Sequence, residues 1–189
     1  NYIAITFDDG PHPQNTPRLL EILRARNVKA TFYVIGRNVD LYPNVLRRMV
    51  SEGHEIGNHT YNHLNGWKTT SQEYLENIEA CETAISNLKS EIKDLKSKIF
   101  RPPYGKVKAA QAKKLRQQGY KIIMWDVLSA DFDQTISPEK CLENVLKNVE
   151  SGSIIVFHDS KKAWQNLEYV LPKTLKFLNE KGFTCDKIN

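Results

Sequence analysis

Apolar positions along the chain alternate between two rhythms: short β-branched or continuous runs that suit strands, and three- and four-residue steps that suit helices. Tyr2–Phe7 is the first run, and Leu19, Leu20, Ile22 and Leu23 then give Arg18–Arg26 a helical face. Lys29–Ile35 reads as a second strand, followed by one helix carrying Val39, Tyr42, Val45, Leu46, Met49 and Val50 on one side and stopping at Gly53. His54–Asn58 is a short third strand. Thr70-Ser71-Gln72-Glu73 has the spacing of a capping box, and the long helix it opens places Ile78, Cys81, Ile85, Leu88, Ile92 and Leu95 at helical steps, a core seam rather than a cofactor box.

Ile99–Phe100 begins a fourth strand, Val107–Gln118 is a helix ending at Gly119, and Tyr120–Trp125 is a fifth strand. Ser137-Pro138 opens a helix with proline at its first position, Ser153–Phe157 is a sixth strand, Trp164–Lys181 a helix closed by Gly182, and Phe183–Ile188 a final strand. Seven strands alternating with about six helices predict an α/β fold, a largely parallel sheet curled towards a (β/α) barrel. The 189 residues suffice for one such domain, residues 1–189.

Parallel α/β folds place their chemistry at the carboxyl ends of strands, so a polar residue directly after a strand is a candidate and most others are not. Five clusters pass that filter: Asp8-Asp9-Gly10-Pro11, His59-Thr60-Tyr61-Asn62-His63, Arg101-Pro102-Pro103-Tyr104-Gly105, Asp126–Asp133 and His158-Asp159. On a helical turn, His59 and His63 would share a face and could share a metal ion; they also fit two surface or capping histidines. Asp8 and Asp9 suit either a cation and an arginine that neutralise them or a hydrogen-bonded turn. Pro102-Pro103 would hold the Tyr104 and Gly105 backbone rigid, as a fixed N–H for an oxyanion requires.

Thr6-Phe7-Asp8-Asp9-Gly10-Pro11, His59-Thr60-Tyr61-Asn62-His63, Arg101-Pro102-Pro103-Tyr104-Gly105, Asp126-Val127-Leu128-Ser129-Ala130-Asp131 and Ile155-Val156-Phe157-His158-Asp159 resemble, in order, the five motifs of the NodB-type polysaccharide deacetylases, carbohydrate esterase family four. The resemblance implies a distorted (β/α) barrel of about seven strands. It also implies a metal-dependent hydrolase that removes acetyl groups from an N-acetylated, GlcNAc-containing glycan such as peptidoglycan or a chitin-like oligomer. By matching position, Asp9, His59 and His63 correspond to the metal ligands, with zinc the expected ion and cobalt or nickel as substitutes. Asp8 corresponds to the base acting on a water at the metal, His158 to the acid for the leaving amine, Arg101 to the partner orienting Asp8, Asp131 to the carboxylate holding His158, and the Tyr104 main-chain N–H to the oxyanion donor. Pro103, Tyr104, Phe132 and Val156 correspond to substrate-binding positions. The chain departs from the family pattern at two of them, with Phe132 in place of the usual Trp and Val156 in place of Leu, so a roomier, drier acetyl pocket is expected. The alternatives are an acetylxylan O-esterase, a cyclic-amide hydrolase and a carbohydrate-binding pseudoenzyme. All of Asp8, Asp9, His59, His63 and His158 are present, which favours catalysis.

Composition adds little beyond foldability: 40% hydrophobic and 26% charged residues exclude a disordered chain. Cys81, Cys141 and Cys185 form no CxxC pair, and Cys81 and Cys141 read as small buried apolar residues. Charge is more informative. The chain carries +5, yet Lys89–Lys114 holds nine basic residues against Glu91 and Asp94, a window of +7 in a chain otherwise at −2. No aromatic residues are interleaved along its helix, so nucleic acid is not expected as a partner. Lys106 and Lys108, following the Tyr104 loop, favour an anionic glycan or an anionic envelope surface. The expected state is a monomer, and the expected location is extracytoplasmic or at the cell envelope, with the cytoplasm left open.

Overall fold

A computed structural model describes residues 1–88 and 98–188. Eight strands run parallel to their neighbours in one sheet: β1 (Tyr2–Asp8), β2 (Thr31–Val34), β3 (Glu55–Asn58), β4 (Ile99–Phe100), β5 (Lys121–Ile122), β6 (Val127–Leu128), β7 (Ile154–His158) and β8 (Thr184–Asp186). Seven follow the order β5-β4-β3-β2-β1-β7-β6, and β8 pairs with the first half of β1, on the edge whose second half takes β2. Seven helices surround the sheet among the described residues: α1 (Asn15–Ala25), α2 (Gly36–Leu41), α3 (Pro43–Ser51), α4 (Ser71–Ser86), α5 (Ala109–Gln117), α6 (Pro138–Leu146) and α7 (Trp164–Glu180).

The curl follows from one short connection. β5 and β6 lie at opposite ends of the strand order, and a flat sheet of seven strands would hold them ~29 Å apart. The chain from Ile122 to Val127 can span at most ~18 Å, so the sheet has to bend until its edges approach. Of the strand expected over Tyr120–Trp125 only Lys121–Ile122 forms, and a second short strand, Val127–Leu128, follows beyond it on the other side of the opening. Arg101 fills the gap: its Nε donates to the carbonyl of Ile123 at 3.3 Å and its Nη2 to that of Met124 at 3.1 Å, from a side chain with 0% exposure.

The helix expected between Val39 and Gly53 is also two. Pro43 disfavours a helical conformation at the residue before it, and Tyr42 sits at φ −131°, ψ 53°, so α2 stops there and α3 restarts with proline in its first turn. Thr70 caps α4 by accepting the Glu73 N–H at 3.2 Å. The stripe on α4 is buried at Ile78, Cys81 and Ile85, while Ile92 and Leu95, with the charged residues between Lys89 and Lys96, lie outside the described residues. Cys81 and Cys141 are free and fully buried, packed as small apolar side chains.

The sheet is buried on both faces, which is why its strands read as continuous apolar runs. Phe7 stacks on Phe32 at 4.9 Å and on Phe157 at 5.8 Å between ring centroids, so β1, β2 and β7 are locked together immediately below the residues that end them.

Candidate active site

Five loops meet at the carboxyl ends of the strands around a cavity of about 500 Å³ lined by Asp8, Asp9, His59, His63, Tyr104, Trp125, Leu128, Phe132, His158, Ser160 and Lys162. Six non-glycine residues have positive φ among the described residues, and five of them, Asp9, Thr60, His63, Tyr104 and Ala130, belong to these loops. Left-handed backbone at such residues persists only where the surroundings enforce it, and three of these five, Asp9, His63 and Tyr104, line the cavity.

Asp8 ends β1 in register with His158 of β7, placing base and acid candidates on adjacent strands. Its Oδ1 accepts from Arg101 Nη1 at 2.9 Å, and its Oδ2 lies 3.8 Å from His59 Nε2. Arg101 Nη1 also donates to Thr6 Oγ1 at 2.7 Å, and the guanidinium lies 4.1 Å over the Tyr33 ring, so its orientation is fixed from several sides. Gly10 follows because its Cα abuts Asp159: a Cβ there would meet Asp159 Oδ2 at 2.5 Å. Burial pushes the Asp159 carboxyl up to about 7, against a bond from the Thr16 hydroxyl.

Asp9 turns the other way. Its Oδ1 lies 3.2 Å from His63 Nε2 and 3.7 Å from His59 Nε2, and the three ligand atoms fall within 4.8 Å of one another. Two donors ~2.1 Å from one tetrahedral zinc stand about 3.4 Å apart, so these spacings suit a common ion. The donor chemistry fits as well. His59 Nδ1–H donates to the Arg101 carbonyl at 2.8 Å, which leaves Nε2 a bare lone pair. Burial lowers the His59 pKa although Asp8 and Asp9 oppose it, so the imidazole is held neutral. Asp9 Oδ1 is buried with no hydrogen-bond partner of good geometry despite the nearness of His63. Burial works against ionising Asp9, yet His63 and the imidazoles of His158 and His59 outweigh it and bring the carboxyl down to about 2.

The four-residue spacing of His59 and His63 operates through a loop, not the helical turn expected from it. Thr60 and His63 are left-handed, at φ 64° and 57°, and the rings end 5.1 Å apart. Two asparagines that sequence reasoning passed over shape this loop. Asn58 accepts the Thr60 N–H at 2.9 Å while donating to the Ile78 carbonyl, and Asn77 Oδ1 accepts the N–H groups of Tyr61 and Asn62 at 2.9 Å. Asn77 lies on α4, in a stretch with no chemical motif to mark it.

Across the cavity, His158 Nδ1 lies 2.7 Å from Asp131 Oδ1, and the second Asp131 oxygen accepts the His158 main-chain N–H at 2.8 Å. Burial alone would lower the His158 pKa, but Asp131 reverses that and raises it to about 9. Phe132 meets the His158 ring edge-on at 4.8 Å. Within the same flagged stretch, Asp126 serves the sheet instead: its carboxylate accepts Ser153 Oγ and the Ile154 N–H.

Tyr104 lies in a tight turn over Pro103–Gly105 at φ 58°, ψ 10°. The turn uses the N–H groups of Gly105 and Lys106, bonded to the Pro102 and Pro103 carbonyls, and that of Tyr104 takes no part in it. Tyr104 Oη is 3.1 Å from His63 Nδ1, an arrangement compatible with a free Nε2 on His63. Two expected substrate-binding positions do not line the cavity. Val156 shares a face of β7 with His158 but lies one step deeper at 1% exposure, and Pro103 is buried behind the turn. Trp125, Leu128, Ser160 and Lys162 take wall positions that sequence reasoning missed. Trp125 and Leu128 come from the link and strand that close the sheet, and their place depends on that closure.

A family model described as polysaccharide deacetylase matches residues 1–123. A peptidoglycan-N-acetylglucosamine deacetylase of Bacillus cereus is 39% identical over 158 residues, covering 84% of this chain and 56% of the relative. A chitooligosaccharide deacetylase of Azorhizobium caulinodans is 34% identical over 159 residues, covering 83% of this chain and 73% of that one. The chain thus spans little more than half of the first relative's length. Among solved structures, the Bc1960 peptidoglycan N-acetylglucosamine deacetylase in complex with 4-naphthalen-1-yl-N-oxidanyl-benzamide superposes with a TM-score of 0.92 at 36% identity, over 99% of this chain and 86% of that one. Its motifs, its curled parallel sheet and these matches agree that the chain belongs to the polysaccharide deacetylase family.

Proposed function

We propose that the protein is a metal-dependent deacetylase of a GlcNAc-containing glycan, peptidoglycan or a chitin-like oligomer, acting at the cell envelope. The observation that carries this reading is a fixed carboxylate and a fixed imidazole ending adjacent strands at one cavity: Asp8 held by Arg101 and His158 held by Asp131.

A divalent cation held by Asp9, His59 and His63, zinc being the ion their donors suit, would polarise the acetyl carbonyl and acidify a nearby water. The rest falls to the chain. Asp8 Oδ1 is committed to Arg101, so Oδ2 is the oxygen that takes the proton from the attacking water. The Tyr104 N–H, held in its left-handed turn, offers a hydrogen bond to the carbonyl oxygen as negative charge grows there. His158, kept protonated by Asp131, donates to the leaving nitrogen as the C–N bond breaks. Water adds to carbon, one proton passes to Asp8 and another arrives at nitrogen from His158, giving an amine and acetate with proton balance restored when the two side chains exchange with solvent.

Acetate release from chitin oligomers, peptidoglycan and acetylxylan, with and without a chelator, tests this reading. We expect chelation to abolish release and Asp8→Asn to reduce it by about 10²–10⁴-fold. Chelator-resistant turnover, or a fully active Asp8→Asn protein, overturns the mechanism, and preference for acetylxylan overturns the substrate assignment.

A further inference from the structure

The loop that follows His63 carries an exposed aromatic side chain. Trp67 is 58% exposed, yet it is held firmly: its indole N–H donates to the Val107 carbonyl at 3.2 Å, and the Lys106 ammonium lies 4.0 Å over its ring. The loop that carries it is tied to the segment after the Tyr104 turn by three further bonds. Gly66 N–H donates to the Lys106 carbonyl at 3.1 Å, buried Gln111 donates to the Gly66 carbonyl at 3.0 Å, and Lys108 Nζ donates to the Thr69 carbonyl at 2.7 Å. Gly66 has to be glycine for this approach, since a Cβ would meet the Lys106 carbonyl at 2.5 Å.

These ties separate the two lysines that the charge pattern had grouped. Lys108 is a strut bonded to the Trp67 loop, whereas Lys106 lies over the ring of an exposed tryptophan. With one face under Lys106 and its N–H edge on Val107, the exposure of Trp67 belongs to its other face and outer edge. Position makes this useful. The Trp67 loop directly follows His63, and Lys106 lies two residues beyond Tyr104, a Cα separation of at most ~7 Å, so the pair is carried by the two segments that continue from cavity-lining His63 and Tyr104.

We propose that Trp67 and Lys106 form an outer glycan subsite, in which the indole stacks on the pyranose next along from the one losing its acetyl group and Lys106 pairs with a carboxylate carried by that sugar. The inference rests on the deacetylase reading above and names its preferred substrate: an oligomer of at least several sugars bearing acidic substituents. A rigid, exposed aromatic ring offers stacking area with little ordering cost on binding, and a cation at its side selects for charge without requiring a buried ion pair.

The test compares Trp67→Ala, Trp67→Tyr and Lys106→Met with the parent enzyme on three substrates: GlcNAc disaccharide, a neutral GlcNAc hexamer, and a glycan of similar length with lactyl carboxylates on alternate sugars. We expect Trp67→Ala to lower kcat/KM about tenfold on both long substrates, mainly through KM, with Trp67→Tyr recovering most of it and the loss shrinking to twofold or less on the disaccharide. Lys106→Met should lower kcat/KM three- to tenfold on the acidic glycan alone and flatten its dependence on ionic strength. Equal losses on short and long substrates, or no loss on long ones, overturn the stacking role; equal effects of Lys106→Met on neutral and acidic glycans overturn the charge role. Unchanged melting temperatures identify folded variants, and Trp67→Tyr carries the comparison if Trp67→Ala melts early. If the parent releases no acetate from any substrate, the deacetylase reading has failed, a result distinct from any pattern among the variants.

Discussion

Strand β3 has a buried histidine at each end, His54 before it and His59 after it, and the two share burial and a neutral ring but differ in tautomer and surroundings. His59 Nδ1 faces the Arg101 carbonyl and must carry the proton, so Nε2 points its lone pair towards Asp9. His54 Nδ1 accepts the Ala30 N–H at 3.1 Å and must lack the proton, so the tautomer is reversed; its ring lies edge-on to Phe32 at 5.3 Å, in the core. Each imidazole is kept neutral by burial, His54 with its pKa brought down to about 4. What separates a candidate ligand from a structural histidine here is therefore the partner of Nδ1 and the end of the strand, not burial or residue type.

One substitution made at both ends breaks the comparison most directly. Asparagine places a polar group where Nδ1 was, so His59→Asn can still donate to the Arg101 carbonyl and His54→Asn can still accept from Ala30, while both lose Nε2. We expect His59→Asn to lose bound metal and at least about 10³-fold in activity, because two ligands remain of three. His54→Asn should retain stoichiometric metal and activity within about twofold once folded, with a stability loss of about 1–3 kcal/mol from the vacated ring volume. Elemental analysis beside acetate release checks both, and a metal-free His54→Asn protein would show that the ends of β3 are not independent.

The acid side sharpens the same point, since His158 is also buried yet has its pKa raised, not lowered. Asp131 makes the difference, and Asp131→Asn should remove it. A general acid works below its pKa, so the alkaline limb of the pH–rate profile marks His158, at or below about 9 once a cation at Asp9 adds its repulsion. In Asp131→Asn the limb should move down by at least about one unit, with activity at pH 8 falling about 10–100-fold. A limb that stays in place would assign the titration to another group.

The position of the candidate site was legible in the sequence because its polar residues stand directly at the ends of apolar runs. Asp8, Asp9, His59, Arg101 and His158 each follow or end an apolar run, and the structure brings all five to one cavity or its wall. The sequence was silent where a role depends on closure in three dimensions. Trp125 and Leu128 line the cavity only because Ile122 and Val127 fall on opposite edges of a curled sheet, and the apolar run over Tyr120–Trp125 does not show that the strand stops at Ile122 and a new one begins at Val127. Asn77 holds the histidine loop from a helix surface where asparagine carries no periodic signal. Lys106 and Lys108 are alike in sequence and diverge only through the Thr69 carbonyl that one of them reaches.

The smallest of these effects concerns stability and is read at His54. Burial first, and then the Lys29 charge, depress its folded pKa to about 4 from 6.5, against a weaker opposing pull from Glu52 and with Lys187 adding to the depression. Between those values the unfolded chain binds a proton that the folded protein refuses, so stability is complete above about 6.5 and falls as pH drops towards 4. The shift corresponds to at most about 3 kcal/mol, smaller if the denatured chain shields the ring. Urea midpoints at pH 7 and pH 4.5 should fall by less in His54→Asn than in the parent, because the variant has no imidazole to charge there. Equal falls in the two proteins would place the acid sensitivity elsewhere and leave His54 a packing residue only.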